Sequence, residues 1–263
     1  MIGFNNLGNH GHLGNQMFQY ASLRGISSNR NYDWCIPPKD SFGKFYNLRS
    51  SIYDCFKLHS LKNIGFVDQK TLNEPHFHFS QNLFDNCPDD VDLLGYFQTE
   101  KYFRNIKQDI LKDFEFLDHI EDSAKDFLSK YINTNKVSVH LRRTDYVDKK
   151  HFHVPPPLEY YKNAMDIFED SIFFIFSDDI EWCKQQNIFG KSNVVFSDTN
   201  DAYIDFCIMS MCDDNIIANS SYSWWASYLN KNDTKRIIAP NRWFGFPCNL
   251  RDLYMSNWTV LQA

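Results

Sequence analysis

The chain has 263 residues, enough for two modest domains, and 43% of them are apolar, so a substantial core can be buried. Phe (24), Tyr (14) and Trp (6) make up 17% of the sequence, which excludes a disordered protein. The net charge of −6 comes with no basic stripe, which excludes a general nucleic-acid binder, and no apolar run approaches the ~18–20 residues of a membrane helix.

In chain order, Met1–Asn6 carries neither a charged leader nor an apolar core, so no signal peptide is expected. Gly8–Ala21 (GNHGHLGNQMFQYA) follows. It is neither Gly-x-Gly-x-x-Gly nor a P-loop. Asn15 can cap a helix on which Met17, Tyr20, Ala21 and Arg24 fall at helical spacing. A glycine loop opening a helix offers backbone N–H groups to an anion, and the alternative is a tight, well-packed turn. The rest of residues 1–135 reads as irregular, with short apolar pieces and many aromatics. Tyr96, Phe97, Phe77 and Phe79 read mainly as core, with sugar stacking as the alternative. Asp90-Val91-Asp92 is a weak candidate for metal-diphosphate binding. Polar Ile132–Lys136 marks the expected boundary between an N-terminal domain, 1–135, and a C-terminal domain, 136–263.

The second half alternates strands with helices. Strands are predicted at Val137–Leu141, Phe173–Phe176, Val194–Phe196, Ile216–Ala218 and Arg236–Ala239. Helices are predicted at Asp201–Cys212 and Trp224–Leu229. This alternation predicts βαβ units and a parallel sheet, with ligands outside the C-terminal strand ends. Polar clusters stand at those ends. Arg142 and Arg143 can neutralise a diphosphate bidentately, and Asp145 can orient an arginine or accept a proton. Asp178 and Asp179 can hold a divalent cation, hold an arginine or cap the next helix. Asp205 offers a carboxylate suited to the N1–H and N2–H of guanine. Ser220, Ser221 and Tyr222 open a helix whose N–H groups form a second anion cradle. Trp224 and Trp225 read as core.

The seven cysteines are odd in number, widely spread and lack Cys-x-x-Cys, which argues against a disulfide framework or structural zinc. His76/His78 and His151/His153 are close histidine pairs, and both read as loop rather than metal sites.

Five segments together resemble glycosyltransferase family 11, the GDP-fucose-dependent α-1,2-fucosyltransferases of bacterial and viral type. They are GHLGNQMFQYA (11–21), LLGYFQTEKYF (93–103), HLRRTDY (140–146), FSDDIEWC (176–183) and MSMCDDNIIANSSYSWWASYLN (209–230). The resemblance implies an α/β, GT-B-like fold of two Rossmann-like domains with a donor cleft between them, the N-terminal one on the acceptor side. It implies metal-independent, inverting transfer of L-fucose from GDP-β-L-fucose to an oligosaccharide or glycolipid, at O2 of a terminal galactose. Arg142 would contact the β-phosphate, supported by Arg143, with His140 near the nucleotide. Asp205 would read guanine, Ser220, Ser221 and Tyr222 would touch the diphosphate, and Gly14, Asn15 and Gln16 would face GDP. Asp178 and Asp179 would support the donor site. For the general base, Asp148 is favoured over Asp145, because Lys150 stands where related α-1,6 enzymes carry a glutamate. Related α-1,3 transfer, another GDP-sugar and a non-catalytic GDP-sugar-binding homologue are the alternatives. No metal or resident cofactor is expected, and the expected location is cytoplasmic, with peripheral membrane attachment left open.

Overall fold

A computed structural model describes residues 1–43, 50–68, 70–144 and 152–263. They form two compact units, Met1–Leu117 with Asn249–Tyr254 and Asp118–Cys248 with Met255–Ala263.

Unit 1 is built on four short parallel strands, β1 (Ile2–Gly3), β2 (Trp34–Cys35), β3 (Lys70–Asn73) and β4 (Val91–Leu94), in the order β2-β1-β4-β3. Its helices are α1 (Leu13–Arg30), α2 (Ile52–Cys55), α3 (Gln81–Asn86) and α4 (Lys107–Asp113). Helix α1 is buried on nearly every face from Leu13 to Ser27, so it is the spine of the unit. A Cβ on Gly25 would lie 1.9 Å from the carbonyl oxygen of Tyr102, so glycine lets that backbone pack directly on the helix. Arg24 is inside as well, paired with fully buried Asp113, which also accepts from Tyr20 Oη (2.8 Å) and the Ser60 N–H (2.7 Å). Such a pair is held by its additional hydrogen bonds, and removing one partner would leave an uncompensated buried charge. The expectation of an irregular first half is corrected here. Strands of two to four residues are too short to display an alternating pattern, yet they order a parallel sheet.

Unit 2 runs α5 (Asp118–Ser129), β5 (Asn135–Leu141), α6 (Leu158–Met165), β6 (Ser171–Ser177), α7 (Ile180–Lys184), β7 (Val194–Phe196), α8 (Ala202–Met211), β8 (Asp214–Ile216), α9 (Ser221–Leu229), β9 (Ile237–Pro240) and β10 (Thr259–Leu261). All six strands are parallel in the order β10-β9-β8-β5-β6-β7. The chain enters at β5, steps outward to β7, then crosses back and continues from β8. The strand order therefore reverses between β5 and β8, and ligands of open α/β sheets bind outside the strand ends at such a point. Val137, Val139, Phe173, Ile175, Ile216 and Ile238 form the sheet side of the core, covered by Tyr160 and Tyr161 of α6. The Tyr160 hydroxyl donates to the carbonyls of Ile217 (2.7 Å) and Ile238 (3.1 Å), which ties α6 to β8 and β9. Trp224 and Trp225 are fully buried, as expected.

Strand β10 lies beyond Arg236–Ala239, the last strand expected, and three further details differ from the sequence reading. Strand β8 begins at Asp214 and ends at Ile216, and α9 begins at Ser221. The division between units falls after Leu117, not at Ile132–Lys136, because the amphipathic α5 lays Ile120 and Ala124 against α8 inside unit 2.

Candidate functional site

The three strands flanking the reversal deliver the polar clusters of unit 2. The β5–β6 register pairs Leu141 with Ser177, so the residues that follow each strand emerge side by side. Asp178 accepts from the Arg143 N–H (2.8 Å), the Thr144 N–H (3.2 Å) and Thr144 Oγ1 (2.5 Å), and its Oδ2 lies 3.3 Å from Arg142 Nη1. One carboxylate thus fixes the backbone of the arginine loop and the head of Arg142. Burial raises the Asp178 pKa, but the charge of Arg142 and the Thr144 and Arg143 donors outweigh it and hold the carboxyl below its usual range. Asp179 caps α7 by accepting from the Trp182 N–H (3.3 Å) and accepts from Arg143 Nε (3.3 Å). The Arg143 guanidinium lies 3.3 Å from the centre of the Trp182 ring, so it is stacked as well as paired. The holding of arginine and the helix cap are therefore both realised by this aspartate pair.

On the other side of the reversal, β8 leads into Ser220 and the start of α9. The first N–H groups of a helix lack intrahelical acceptors and aim beyond its N-terminus, where the macrodipole favours an anion. Ser220 has no side-chain cap bond, so its hydroxyl does not close that end. The Tyr222 ring packs on His140 of β5 (5.3 Å) and on Phe206 of α8 (4.9 Å), and its hydroxyl donates to the Ala202 carbonyl. His140 is buried beneath this contact, and burial drives its pKa well down, so it is a neutral ring supporting Tyr222 and carries no positive charge. Asp205, one turn into α8, accepts at Oδ1 from Ser197 Oγ (2.5 Å) and Thr199 Oγ1 (2.6 Å). Burial raises its pKa against these two donors, with Asp201 and Asp198 adding to the rise. A partly desolvated carboxylate with one oxygen oriented by hydroxyls is a strong acceptor for a planar pair of N–H donors.

Unit 1 has its own sheet edge. Helix α1 starts at Leu13 with His12 as N-cap, so Asn15 lies within the helix rather than capping it. The Leu13 N–H is taken by Ser50 Oγ (3.1 Å) and the Asn15 and Gln16 N–H groups by the His12 carbonyl (2.9 and 3.0 Å), so most of this N-terminus is already satisfied internally. Gln16 is fully buried, donating to the carbonyls of Ser50 (2.9 Å) and Gly11 (3.3 Å) and accepting from the Ile52 N–H (3.1 Å). Its side chain therefore shapes the loop instead of facing a ligand. Gly14 is buried within α1, and Asn15 Oδ1 accepts from Gln98 Nε2 (2.8 Å).

A family model, "Glycosyl transferase family 11", matches residues 1–262. The chain belongs to glycosyl transferase family 11. This family 11 transferase is 32% identical to an alpha-1,2-colitosyltransferase of Escherichia coli over 89% of this chain and 90% of that one. It is 24% identical to galactoside alpha-(1,2)-fucosyltransferase 2 of Sus scrofa, over 85% of this chain and 69% of the other. Among solved structures it shares its fold with NodZ alpha-1,6-fucosyltransferase soaked with GDP-fucose (TM-score 0.55, 13% identity, 91% and 94% covered). POFUT1 in complex with GDP is also similar (TM-score 0.56, 14% identity, 93% and 98% covered). The shared fold is the α/β, GT-B-like fold that the motifs implied.

In the family 11 transferase, unit 2 thus gathers His140, Arg142, Arg143, Asp178, Asp179, Asp205, Ser220, Ser221 and Tyr222 around one sheet edge. Asp145 and Asp148 lie outside the described residues. Among the described residues no group of three or more His, Cys, Asp or Glu side chains is placed to hold a metal ion, and no helix is long and apolar enough to cross a membrane. None of the seven cysteines is in a disulfide. Asp178→Ala would release Arg142 and the Arg143–Thr144 backbone together, and a misplacement of about 1 Å is enough for a loss of about 10²-fold. That drop is expected in kcat at saturating donor with the circular dichroism spectrum unchanged.

Sequence reasoning missed Trp182 as the stacking partner of Arg143 and Glu74 as the organiser of the unit 1 edge. Glu74 Oε2 accepts from the Tyr96 N–H (2.8 Å) and the Phe97 N–H (3.0 Å), while Oε1 is buried without a partner. Burial raises its pKa to about 7, against the lowering by those two N–H groups and by His76. A carboxyl whose folded pKa is raised favours folding most when protonated. Stability from this group is full below about 4.5 and is lost as pH climbs to about 7. Glu74→Gln should flatten that part of the melting-temperature profile, with the two variants compared from pH 4.5 to 8 by thermal unfolding.

Proposed function

We propose that the chain is an inverting α-1,2-fucosyltransferase that moves L-fucose from GDP-β-L-fucose to O2 of a terminal galactose in an oligosaccharide or glycolipid. The observation that carries this reading is Arg142, held by Asp178 at the strand-order reversal and flanked in the sheet by the strand that opens α9. Breaking the fucose–phosphate bond leaves an added negative charge on GDP. Arg142 and the N–H groups opening α9 stabilise that charge where it develops, already oriented before reaction. Asp205 accepts the N1–H and N2–H of guanine and so selects GDP. Asp179 and Trp182 fix Arg143 as a second positive charge beside the diphosphate, which removes the need for a metal.

Inversion requires the acceptor hydroxyl to attack the face opposite GDP, through a transition state of oxocarbenium character. Asp148, with Asp145 as the alternative, takes the hydroxyl proton, a role worth about 10²–10⁴ in rate. Unit 1 binds the acceptor, with Gly14 and Asn15 in the first turn of α1 and Gln16 shaping the loop ahead of it. The enzyme acts in the cytoplasm, either free or peripherally attached to the membrane that carries a glycolipid acceptor.

The test is product formation from GDP-fucose and a β-galactoside in EDTA, with the linkage read by NMR. An α-L-fucoside on O2 is expected. A product on O3, or fucose released only to water, would overturn the reading. The 32% identity to a colitosyltransferase favours a second donor, activated colitose. Parallel assays with the two sugars rank them by kcat/KM.

A further inference from the structure

Three loops converge at the C-terminal edge of the unit 1 sheet. The loop after β1 carries His10, the turn after β3 carries Glu74, and the turn after β4 carries Gly95, Tyr96 and Phe97. The β3–β4 register pairs Asn73 with Leu94, which sets Glu74 beside Gly95. Glu74 then grips the Tyr96 and Phe97 N–H groups, in a turn where Phe97 holds a left-handed backbone (φ 52°). That conformation is rare for a bulky residue and persists only where the surroundings enforce it. Gln19, fully buried on α1, donates to the carbonyls of His10 (2.9 Å) and Gly95 (3.1 Å) and so ties two of the loops together.

The product of this bracing is a ring pair. His10 and Tyr96 stack with centroids 4.6 Å apart and planes 28° from parallel. Phe97 and Tyr102 beside them are fully buried, but Tyr96 is 38% exposed. A large aromatic ring left open to solvent on a turn braced by Glu74 and Gln19 is not explained by core packing. Its apolar face and polar rim suit a pyranose, whose axial C–H groups form one apolar face and whose hydroxyls seek acceptors and donors at the edge. Partial burial also lowers the His10 pKa, which favours its uncharged form.

We propose that the His10–Tyr96 pair is a sugar-stacking platform for the terminal pyranose of the acceptor, with Glu74 and Gln19 as its positioning residues. The assignment of that pyranose as galactose rests on the proposed function, whereas the platform itself does not.

The experiment separates the two. Saturation-transfer NMR with methyl β-galactoside, methyl β-glucoside and lactose reads sugar binding directly, in wild type, Tyr96→Ala, Tyr96→Phe, Glu74→Ala and Glu74→Gln. Wild type and Tyr96→Phe should bind at least one of these sugars alike, and Tyr96→Ala should weaken binding about tenfold. Glu74→Ala should weaken it as well. Glu74→Gln should restore it, because one amide oxygen can accept both N–H bonds. GDP affinity should stay unchanged throughout. Folded Tyr96→Ala that binds the sugars like wild type, or a wild type that binds none of them, would overturn the platform. Sugar binding that depends on Tyr96 without any transfer from GDP-fucose would uphold the platform and overturn the proposed function instead.

Discussion

Arg142→Ala is expected to fold like the wild type and to transfer fucose at least 10²–10³-fold more slowly. The size follows from where the charge develops. On the proposed function the leaving diphosphate gains its charge at the end of β5, and an oriented guanidinium there is worth more in the transition state than in the bound donor. Asp178 holds Arg142 at 3.3 Å, so its orientation is set before substrate arrives. The neighbouring arginine cannot substitute. Arg143 is committed to Asp179 through Nε and stacked on Trp182, and moving it would break both contacts. Arg142→Lys should recover little, because an ammonium cannot reproduce the two-pronged grip on a phosphate. The effect on folding is expected to be small, since Arg142 and Asp178 are both partly exposed and such pairs contribute about 0–1 kcal/mol. Initial rates at saturating donor and acceptor, with a thermal melt on the same samples, check both halves of the expectation.

Asp205→Asn should weaken GDP binding by about 30–150-fold, about 2–3 kcal/mol for exchanging a charged acceptor of two N–H groups for an amide. The amide nitrogen would face guanine's own donors, or the side chain would flip and surrender the Ser197 and Thr199 bonds that orient Oδ1. Inosine diphosphate, which lacks the exocyclic amine, gives the sharper reading. The wild type should prefer GDP to it, and Asp205→Asn should bind the two alike. Because burial raises the Asp205 pKa, GDP should also bind more weakly in acid, where the carboxyl gains a proton and one acceptor oxygen is lost. Calorimetric titrations of both nucleotides at two pH values measure all three.

Much of unit 2 was legible because β5 and β6 run for seven residues each and carry aromatic and β-branched side chains. Phe173–Phe176 stands out of any sequence window, and β6 extends it only to Ser171 and Ser177. Strand β8 was displaced for a physical reason. Asp214 and Asn215 precede the strand expected at Ile216–Ala218, yet both are buried, and Asn215 donates to Ser138 Oγ (2.7 Å) and to the Met209 carbonyl (2.8 Å). Polar residues satisfied inside a strand carry no hydrophobic signature. Unit 1 was hidden more deeply, because its shortest strands have two residues and its order comes from a helix buried on almost every side. The site divides in the same way. Paired aspartates announce themselves at a strand end, and only the β5–β6 register decides that Asp178 holds the Arg142 loop. Glu74 is a lone carboxylate in an unremarkable stretch, and its role exists only because β3 and β4 bring it to Gly95.

The central claim is that the β5–β8 reversal holds a guanosine diphosphate through Arg142 without a metal ion. Calorimetric titration of GDP in EDTA, with UDP as control, on wild type and Arg142→Ala tests it directly. The account predicts that the wild type binds GDP and not UDP, and that Arg142→Ala loses most of that affinity while remaining folded. GDP binding that appears only after Mg²⁺ is restored, or that is equal in the two proteins, would contradict it.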